Sequence, residues 1–166
     1  VDSFRGSGLT IFGHSRSATM IESSKEFAKR LMLEHGIPTA AYRCFTSYDE
    51  ALAYVDSRPY PAVIKYDGLA AGKGVVIAAD RREADDALRS MLLDGAFGEG
   101  KVVIEDWLEG PEFSFMCFVE GERVCPMPLA QDHKRAYDGD KGPNTGGMGA
   151  YTGLPFRTEE DKAFAL

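Results

Sequence analysis

Cysteine and histidine are both rare in this chain, and the way they are spread excludes several kinds of chemistry. Cys44, Cys117 and Cys125 form an odd set with no C-x-x-C pair, and three histidines are too few to complete a zinc site. The thiols are expected to be reduced and buried, as in a cytosolic protein. Positive charge is in deficit as well: 19 Lys and Arg against 26 Asp and Glu give a net charge of −7. A general nucleic-acid binder or a membrane-surface binder needs a net basic face, so both partners are excluded and any basic site must be local. No apolar run approaches the ~20 residues of a membrane span, and the N-terminus lacks the charged-then-apolar layout of a signal peptide. Ser15 and Ser17 have no G-x-S-x-G elbow and the cysteines have no evident base, so nucleophilic catalysis by the protein is unsupported. There is no internal repeat. The chain starts at Val1 rather than at a methionine, and V-D-S-F-R-G-S-G-L-T-I-F-G reads as a helix tail, a Gly8 cap and a short strand, as in a piece of something longer.

What is present is a globular composition, with 44% apolar and 27% charged residues over 166 positions. That is enough for one domain or two small lobes. Ser23-Ser24-Lys25-Glu26 reads as an S-x-x-E capping box, with Phe27, Leu31 and Met32 following at helical spacing up to Gly36 and Pro38. Residues 37–45 are expected to form a strand. Thr46 or Ser47 then caps a helix that turns Ala51, Leu52 and Val55 inward, and Pro59 and Pro61 stop it. Strands are expected at 62–66 and 74–79. Asp80 caps a third helix with Ala84, Ala87, Leu88, Met91 and Leu92 on its inner face, ended by Gly95. K-V-V-I at 101–104 supplies one more strand, and Gly110-Pro111 turns the chain. Residues 112–119 and 123–128 are expected to make a hairpin around E-G-E-R with an apolar inner face. The run from 37 to 106 is therefore a β-α-β-β-α-β unit.

Between two of those strands stands K-Y-D-G-L-A-A-G-K-G-V-V, residues 65–76. Asp67-Gly68 alone would close a hairpin, so the additional Gly72, Lys73 and Gly74 need another reason. With Leu69 as its one bulky side chain, the loop leaves backbone N–H groups open to form an anion-binding nest, edged by Lys65 and Lys73. It is not a P-loop, because only three residues separate Gly68 from Gly72 and Gly74 stands where a hydroxyl belongs. Nor is it a dinucleotide fingerprint, because a strand follows it. Two readings stay open: a solvated flexible turn, or a strand-loop-strand cover over nucleotide phosphates.

The stretch from 131 to 149 shows neither the helical nor the strand period and reads as a loop of 19 residues. Its N-T-G-G-M-G punctuation places an amide, a hydroxyl and bare N–H groups at Asn144, Thr145, Gly146 and Gly147, with Asp132, Lys134 and Arg135 close by in sequence. These groups suit a small polar or anionic ligand, and an irregular structural loop is the competing reading. Asp132-His133 is not expected to be a metal pair or a dyad, since adjacent residues on an extended chain face opposite ways. Trp107 reads as a packing residue at a lobe boundary.

Together, P-A-V-I-K-Y-D-G-L-A-A-G-K-G-V, V-V-I-E-D-W-L-E-G-P-E-F-S, Q-D-H-K-R and G-P-N-T-G-G-M-G-A-Y resemble, in order and spacing, the glycinamide ribonucleotide synthetases, or phosphoribosylamine-glycine ligases, of the ATP-grasp superfamily. The resemblance runs from about Ile11 to Pro155. It implies an α+β ATP-grasp fold: a lead-in segment and helix of the larger lobe at 1–36, the small lobe at 37–107, and the start of the larger lobe at 108–166. It also implies a cytoplasmic ligase of purine biosynthesis that joins glycine to 5-phosphoribosylamine through a glycyl phosphate while ATP becomes ADP and phosphate.

By position, the resemblance implies that Lys25 and Lys65 contact ATP phosphates under a cover formed by Gly68, Gly72, Lys73 and Gly74. Glu105, Asp106 and Leu108 meet adenine largely through the backbone, and Glu112 holds the ribose. Asp132, Lys134, Asn144, Thr145 and Gly147 line the glycine and phosphoribosylamine site. The family's N-terminal domain and the Glu and Asn that bind Mg²⁺ lie outside these residues, so the chain by itself is expected to be inactive. T-E-E-D at 158–161 reads as the start of a helix, not as a metal site. Tyr66 and Pro111 depart from the family's usual Ala and Glu at positions that carry no role. A nucleotide-binding module without catalysis is the alternative. N-T-G-G-M-G speaks against a biotin-dependent carboxylase.

Overall fold

The structure, a computed structural model, describes residues 1–70, 74–139, 141–155 and 160, with the backbone alone at 143 and 144. Gly72, Lys73 and the expected helix start at 158–161 lie outside the described residues, apart from Glu160. The chain forms two compact units, Val1–Leu108 and Glu109–Leu166. Among the described residues no helix is long and apolar enough to cross a membrane.

The first unit opens with three helices, α1 (Asp2–Gly6), α2 (Met20–Ser23) and α3 (Lys25–Glu34). Gly8 takes φ +73, but residues 9–12 form no strand, and Leu9 and Phe12 are exposed. The cap of α3 is Ser24, one residue later than the S-x-x-E pattern suggests. Its hydroxyl accepts from Phe27 N at 3.2 Å, while Ser23 closes α2. The pattern misleads because the remaining N-terminal amides are satisfied from afar. The Asp67 carboxylate accepts from Lys25 N and from Glu26 N, freeing Glu26 to pair with Lys101.

The β-α-β-β-α-β order is observed. β1 (Tyr42–Phe45), α4 (Tyr48–Asp56), β2 (Ala62–Tyr66), β3 (Val75–Ala78), α5 (Arg81–Leu92) and β4 (Val102–Asp106) build an antiparallel sheet ordered β1-β4-β2-β3. β1 covers only the end of the stretch expected at 37–45. Upstream of it, Thr39 Oγ1 and Ala40 O accept hydrogen bonds from the Lys29 ammonium. Ser47 and Asp80 cap α4 and α5 by accepting from Glu50 N and Glu83 N. Ala51, Val55, Ala84, Leu88 and Met91 of these helices pack on Ala62, Ile64, Tyr66, Val102 and Ile104. Burying each of the large apolar side chains contributes about 2 kcal/mol. By strand alternation, Val63, Lys65, Val103 and Glu105 face the opposite side of the sheet.

Between α4 and α5, the Tyr48 hydroxyl donates to the Asp85 carboxylate, which also accepts from Arg89 Nε at 2.9 Å. The bond from Tyr48 is the largest influence and, against some desolvation, it and the Arg89 charge hold Asp85 below its ordinary value. A depressed carboxylate stabilises the fold above its unfolded-state value, and that contribution is lost as pH falls through the folded value. Tyr48→Phe is therefore expected to lower the melting temperature at pH 7. The gap to wild type should narrow as the pH falls below the carboxylate range, which thermal melts over a pH series would measure.

In the second unit the hairpin is β5 (Cys117–Glu120) with β6 (Arg123–Pro126) around Gly121, which takes φ +58. It starts later than the expected position 112, because the chain turns aside at Ser114 to bridge Ala130. Phe118, Val119 and Val124 are exposed rather than covered. The cysteines follow suit, with Cys44 and Cys117 half-buried and Cys125 exposed, all three free. Burial raises the Cys44 thiol above its ordinary value, helped by the charges of Asp67 and Glu105.

The 131–149 stretch is not a structureless loop. β7 (Ala130–Asp132) pairs with β10 (Ala150–Thr152), and β8 (Arg135–Tyr137) pairs with β9 (Lys141–Asn144) inside it. Strands of three or four residues are too short for alternation to be read, although their backbone groups still need partners.

Candidate functional site

In the first unit the site grows from the junction of β2 with α3. Asp67 follows the last residue of β2, and its side chain is only 2% exposed. Its carboxylate accepts from Ser24 Oγ at 3.2 Å and from the Lys25 and Glu26 amides, and Lys101 Nζ stands 3.5 Å away. Its own amide donates to Lys101 O at 2.8 Å. This anchoring sets the start of the glycine loop against the helix N-terminus and brings Lys25 Nζ to within 3.2 Å of Gly68 O. Lys25 and Gly68, which are 43 positions apart in the sequence, thus meet.

Two of the loop glycines are also bare for reasons of packing. A Cβ on Gly68 would stand 2.8 Å from the Tyr66 ring, and one on Gly74 would stand 2.5 Å from Ala70 Cβ. Tyr66 N donates to Gly74 O at 2.8 Å, which closes the loop's neck. Leu69 is 82% exposed and points into solvent. Tyr66, set aside as a position without a role, fills the space beneath the neck, and its hydroxyl donates to Phe97 O at 3.0 Å. Its apolar neighbours in β2 gave no sign of this, and only its size hinted at it.

On the sheet face away from α4 and α5, Lys65 and Glu105 are diagonal neighbours across β2 and β4. Lys65 Nζ stands 2.9 Å from Glu105 Oε1, and Lys29 Nζ stands 2.9 Å from Oε2. Glu105 is therefore a buried ionic hub, not the solvated strand end that its position at the end of a short strand suggests. Lys29 was missed, because its place in an amphipathic helix reads as a solvated lysine. Asp106, the next residue, points to the other face and pairs with Arg58. That face holds a cavity of about 240 Å³ bounded by Tyr54, Arg58, Tyr60, Ala62, Ile104 and Trp107. It is built chiefly by the helix-covered face and not by Lys65. Leu108 is exposed.

In the second unit, Lys134 Nζ donates to Glu112 Oε1 at 3.1 Å and stands 3.7 Å from Asp132 Oδ2. The hydrogen bond to Glu112 raises the ammonium above its ordinary value. The charges of Glu112 and Asp132 add to that effect, and partial burial opposes it. Thr145 donates to Lys134 O through both its amide (2.6 Å) and its hydroxyl (2.9 Å), and its Oγ1 accepts from Gly147 N at 3.0 Å. Glu112, Asp132, Lys134, Thr145 and Gly147 thus form one polar cluster, and the Asn144 backbone pairs with Arg135 beside it. Sequence reading missed Gln131 and Tyr151. Gln131 Nε2 donates to Glu112 O at 3.0 Å, and Tyr151 Oη donates to Gln131 Oε1 at 2.6 Å. The signal was available in the polar Gln131, one residue before Asp132. Among the described residues no group of three His, Cys, Asp or Glu side chains is placed to hold a metal ion.

Residues 23–165 match the family described as phosphoribosylglycinamide synthetase, ATP-grasp (A) domain. The chain is 58% identical over 162 residues to a phosphoribosylamine–glycine ligase of Listeria innocua, covering 96% of this chain and 39% of that protein. It is 57% identical to the ligase of the same name from Halalkalibacterium halodurans, covering 93% of this chain and 37% of the relative. It thus spans under two-fifths of the length of these relatives. The crystal structure of the Thermotoga maritima phosphoribosylamine–glycine ligase superposes with a TM-score of 0.76 at 39% identity, over 84% of this chain and 36% of that one. D-alanine–D-alanine ligase of Helicobacter pylori, at 19% identity and a TM-score of 0.63 over 77% of this chain and 38% of that one, shares the fold.

Proposed function

Because the chain belongs to the phosphoribosylglycinamide synthetase family, carrying its ATP-grasp (A) domain at residues 23–165, we propose that it is the nucleotide-binding core of a cytoplasmic ligase of purine biosynthesis. The ligase joins glycine to 5-phosphoribosylamine. ATP phosphorylates the glycine carboxylate, and the sugar amine attacks the resulting glycyl phosphate and releases phosphate. Lys25 and Lys65 bind the ATP phosphates beneath the loop of Gly68, Gly72, Lys73 and Gly74. Backbone groups of Glu105, Asp106 and Leu108 meet adenine, and Glu112 meets the ribose. Asp132, Lys134, Asn144, Thr145 and Gly147 hold the glycine and the phosphoribosylamine. In this reading 1–36 and 108–166 belong to the larger lobe and 37–107 is the small lobe. Mg²⁺ accompanies ATP, and among the described residues no group of three His, Cys, Asp or Glu side chains is placed to hold it.

The observation that carries this reading is Lys25 Nζ held at 3.2 Å from Gly68 O, with the neck of the glycine loop fixed beside a helix N-terminus. A loop of that kind, edged by ammonium groups, suits a polyphosphate and excludes water from a hydrolysable acyl phosphate. Calorimetric titration of Mg-ATP into the chain tests it. Lys65→Ala is expected to weaken binding about tenfold, the loss of one partly screened charge contact. Equal affinity in the two proteins would remove Lys65 from the phosphate site.

A further inference from the structure

Lys29 is a buried charge to which the reading above gives no task. Its side chain is 10% exposed, and its ammonium has three partners: Thr39 Oγ1 at 2.8 Å, Ala40 O at 3.2 Å and Glu105 Oε2 at 2.9 Å. An ammonium has three N–H donors, so Lys29 has none left for a ligand. Lys65 differs on each point. It is 28% exposed, and among the described residues its ammonium has a single partner, Glu105 Oε1 at 2.9 Å. Two of its three N–H donors therefore stay uncommitted.

Two ammonium groups on one carboxylate leave a single surplus positive charge. Lys29 is buried and saturated, so the surplus is expressed at Lys65. Were Lys29 absent, the Glu105 carboxylate would have Lys65 as its close counter-ion and would cancel the charge that Lys65 offers outward. We propose that Lys29 is a positioning residue: it neutralises Glu105 from within, so that Lys65 presents net positive charge and free donors to the anionic part of the nucleotide. This rests on the assignment of Lys65 to the phosphates.

The test is Mg-ATP calorimetry on the chain and four variants, with thermal melts as a check on folding. Lys65→Ala and Lys29→Met are each expected to weaken binding about tenfold. Glu105→Gln, which adds to the surplus charge, is expected to bind tighter than wild type. Lys29→Met with Glu105→Gln is expected to regain most of what Lys29→Met alone loses, a recovery that a purely structural role for Lys29 would not give. If Lys65→Ala weakens binding and Lys29→Met does not, the inference fails while the Lys65 assignment stands. A double variant as weak as Lys29→Met also overturns the inference. If Lys65→Ala binds like wild type, or wild type itself binds no Mg-ATP, the Lys65 assignment fails and the inference with it. Should Lys29→Met lose its cooperative melt, Glu105→Gln decides alone: binding weaker than wild type overturns the inference.

Discussion

Asp67→Ala is expected to destabilise the first unit by about 3 kcal/mol, because it removes a charged acceptor from several donors at once. The carboxylate is 2% exposed and takes bonds from Ser24 Oγ and from the first two amides of α3, with Lys101 Nζ at 3.5 Å. Alanine would leave those amides without a partner at a helix N-terminus and leave Lys101 with Glu26 as its remaining counter-ion. In a unit of this size the loss corresponds to a fall of more than about 10 °C in melting temperature. Asp67→Asn keeps the shape and an acceptor oxygen and gives up the charge, so it is expected to cost about 1 kcal/mol. Melting curves of both variants check the ranking. If alanine and asparagine cost the same, the carboxylate's charge-assisted bonds are not what holds this junction.

Gly100→Ala is expected to cost about 2–3 kcal/mol through overpacking. The new Cβ would lie 2.5 Å from Tyr66 Oη and 2.7 Å from ring carbons. The ring has no easy retreat, being buried with its hydroxyl bonded to Phe97 O and its face tilted against the Phe97 ring at 5.2 Å. Tyr66→Ala by itself is expected to cost about 3 kcal/mol as a large-to-small change. Once the ring is gone, adding Gly100→Ala should cost under about 1 kcal/mol, so the pair is strongly non-additive. Denaturant melts of the two single variants and the double variant give the coupling directly. Equal cost of Gly100→Ala in both backgrounds would show that the ring is not the obstacle.

The first unit is legible in the sequence where the deciding contacts are local. Asp80, and Ser47 as one of the two candidates with Thr46, are legible because an N-cap hydrogen bond spans three residues, and β2 at 62–66 because five mostly apolar residues lie between turn signals. The S-x-x-E pattern points to Ser23 rather than Ser24 because Asp67, more than forty residues away, accepts from the first two amides of α3, which no local pattern records. The stretch from 131 to 149 reads as a loop because its ladders are three or four residues long and interrupted by Gly and Pro. The polar groups picked from that stretch, Asp132, Lys134, Thr145 and Gly147, do converge: Asp132 ends β7, and Lys134 and Thr145 flank the paired ends of β8 and β9, where Thr145 bonds Lys134 O and Gly147 N. Lys29 and Tyr66 were invisible for a common reason: the burial of one and the packing of the other depend on residues that the chain brings in from other elements.

The sheet order β1-β4-β2-β3 leaves the glycine loop hung between stems of unequal stiffness. It departs from β2, an interior strand paired on both sides, at a residue clamped to α3. It returns on β3, a border strand with β2 as its sole ladder. Of the two stems, the departing one is clamped at Asp67, and the returning one is where a single ladder has to yield. Backbone amides of Val75–Ile77 should accordingly trade their protons for deuterium sooner than those of Val63–Lys65.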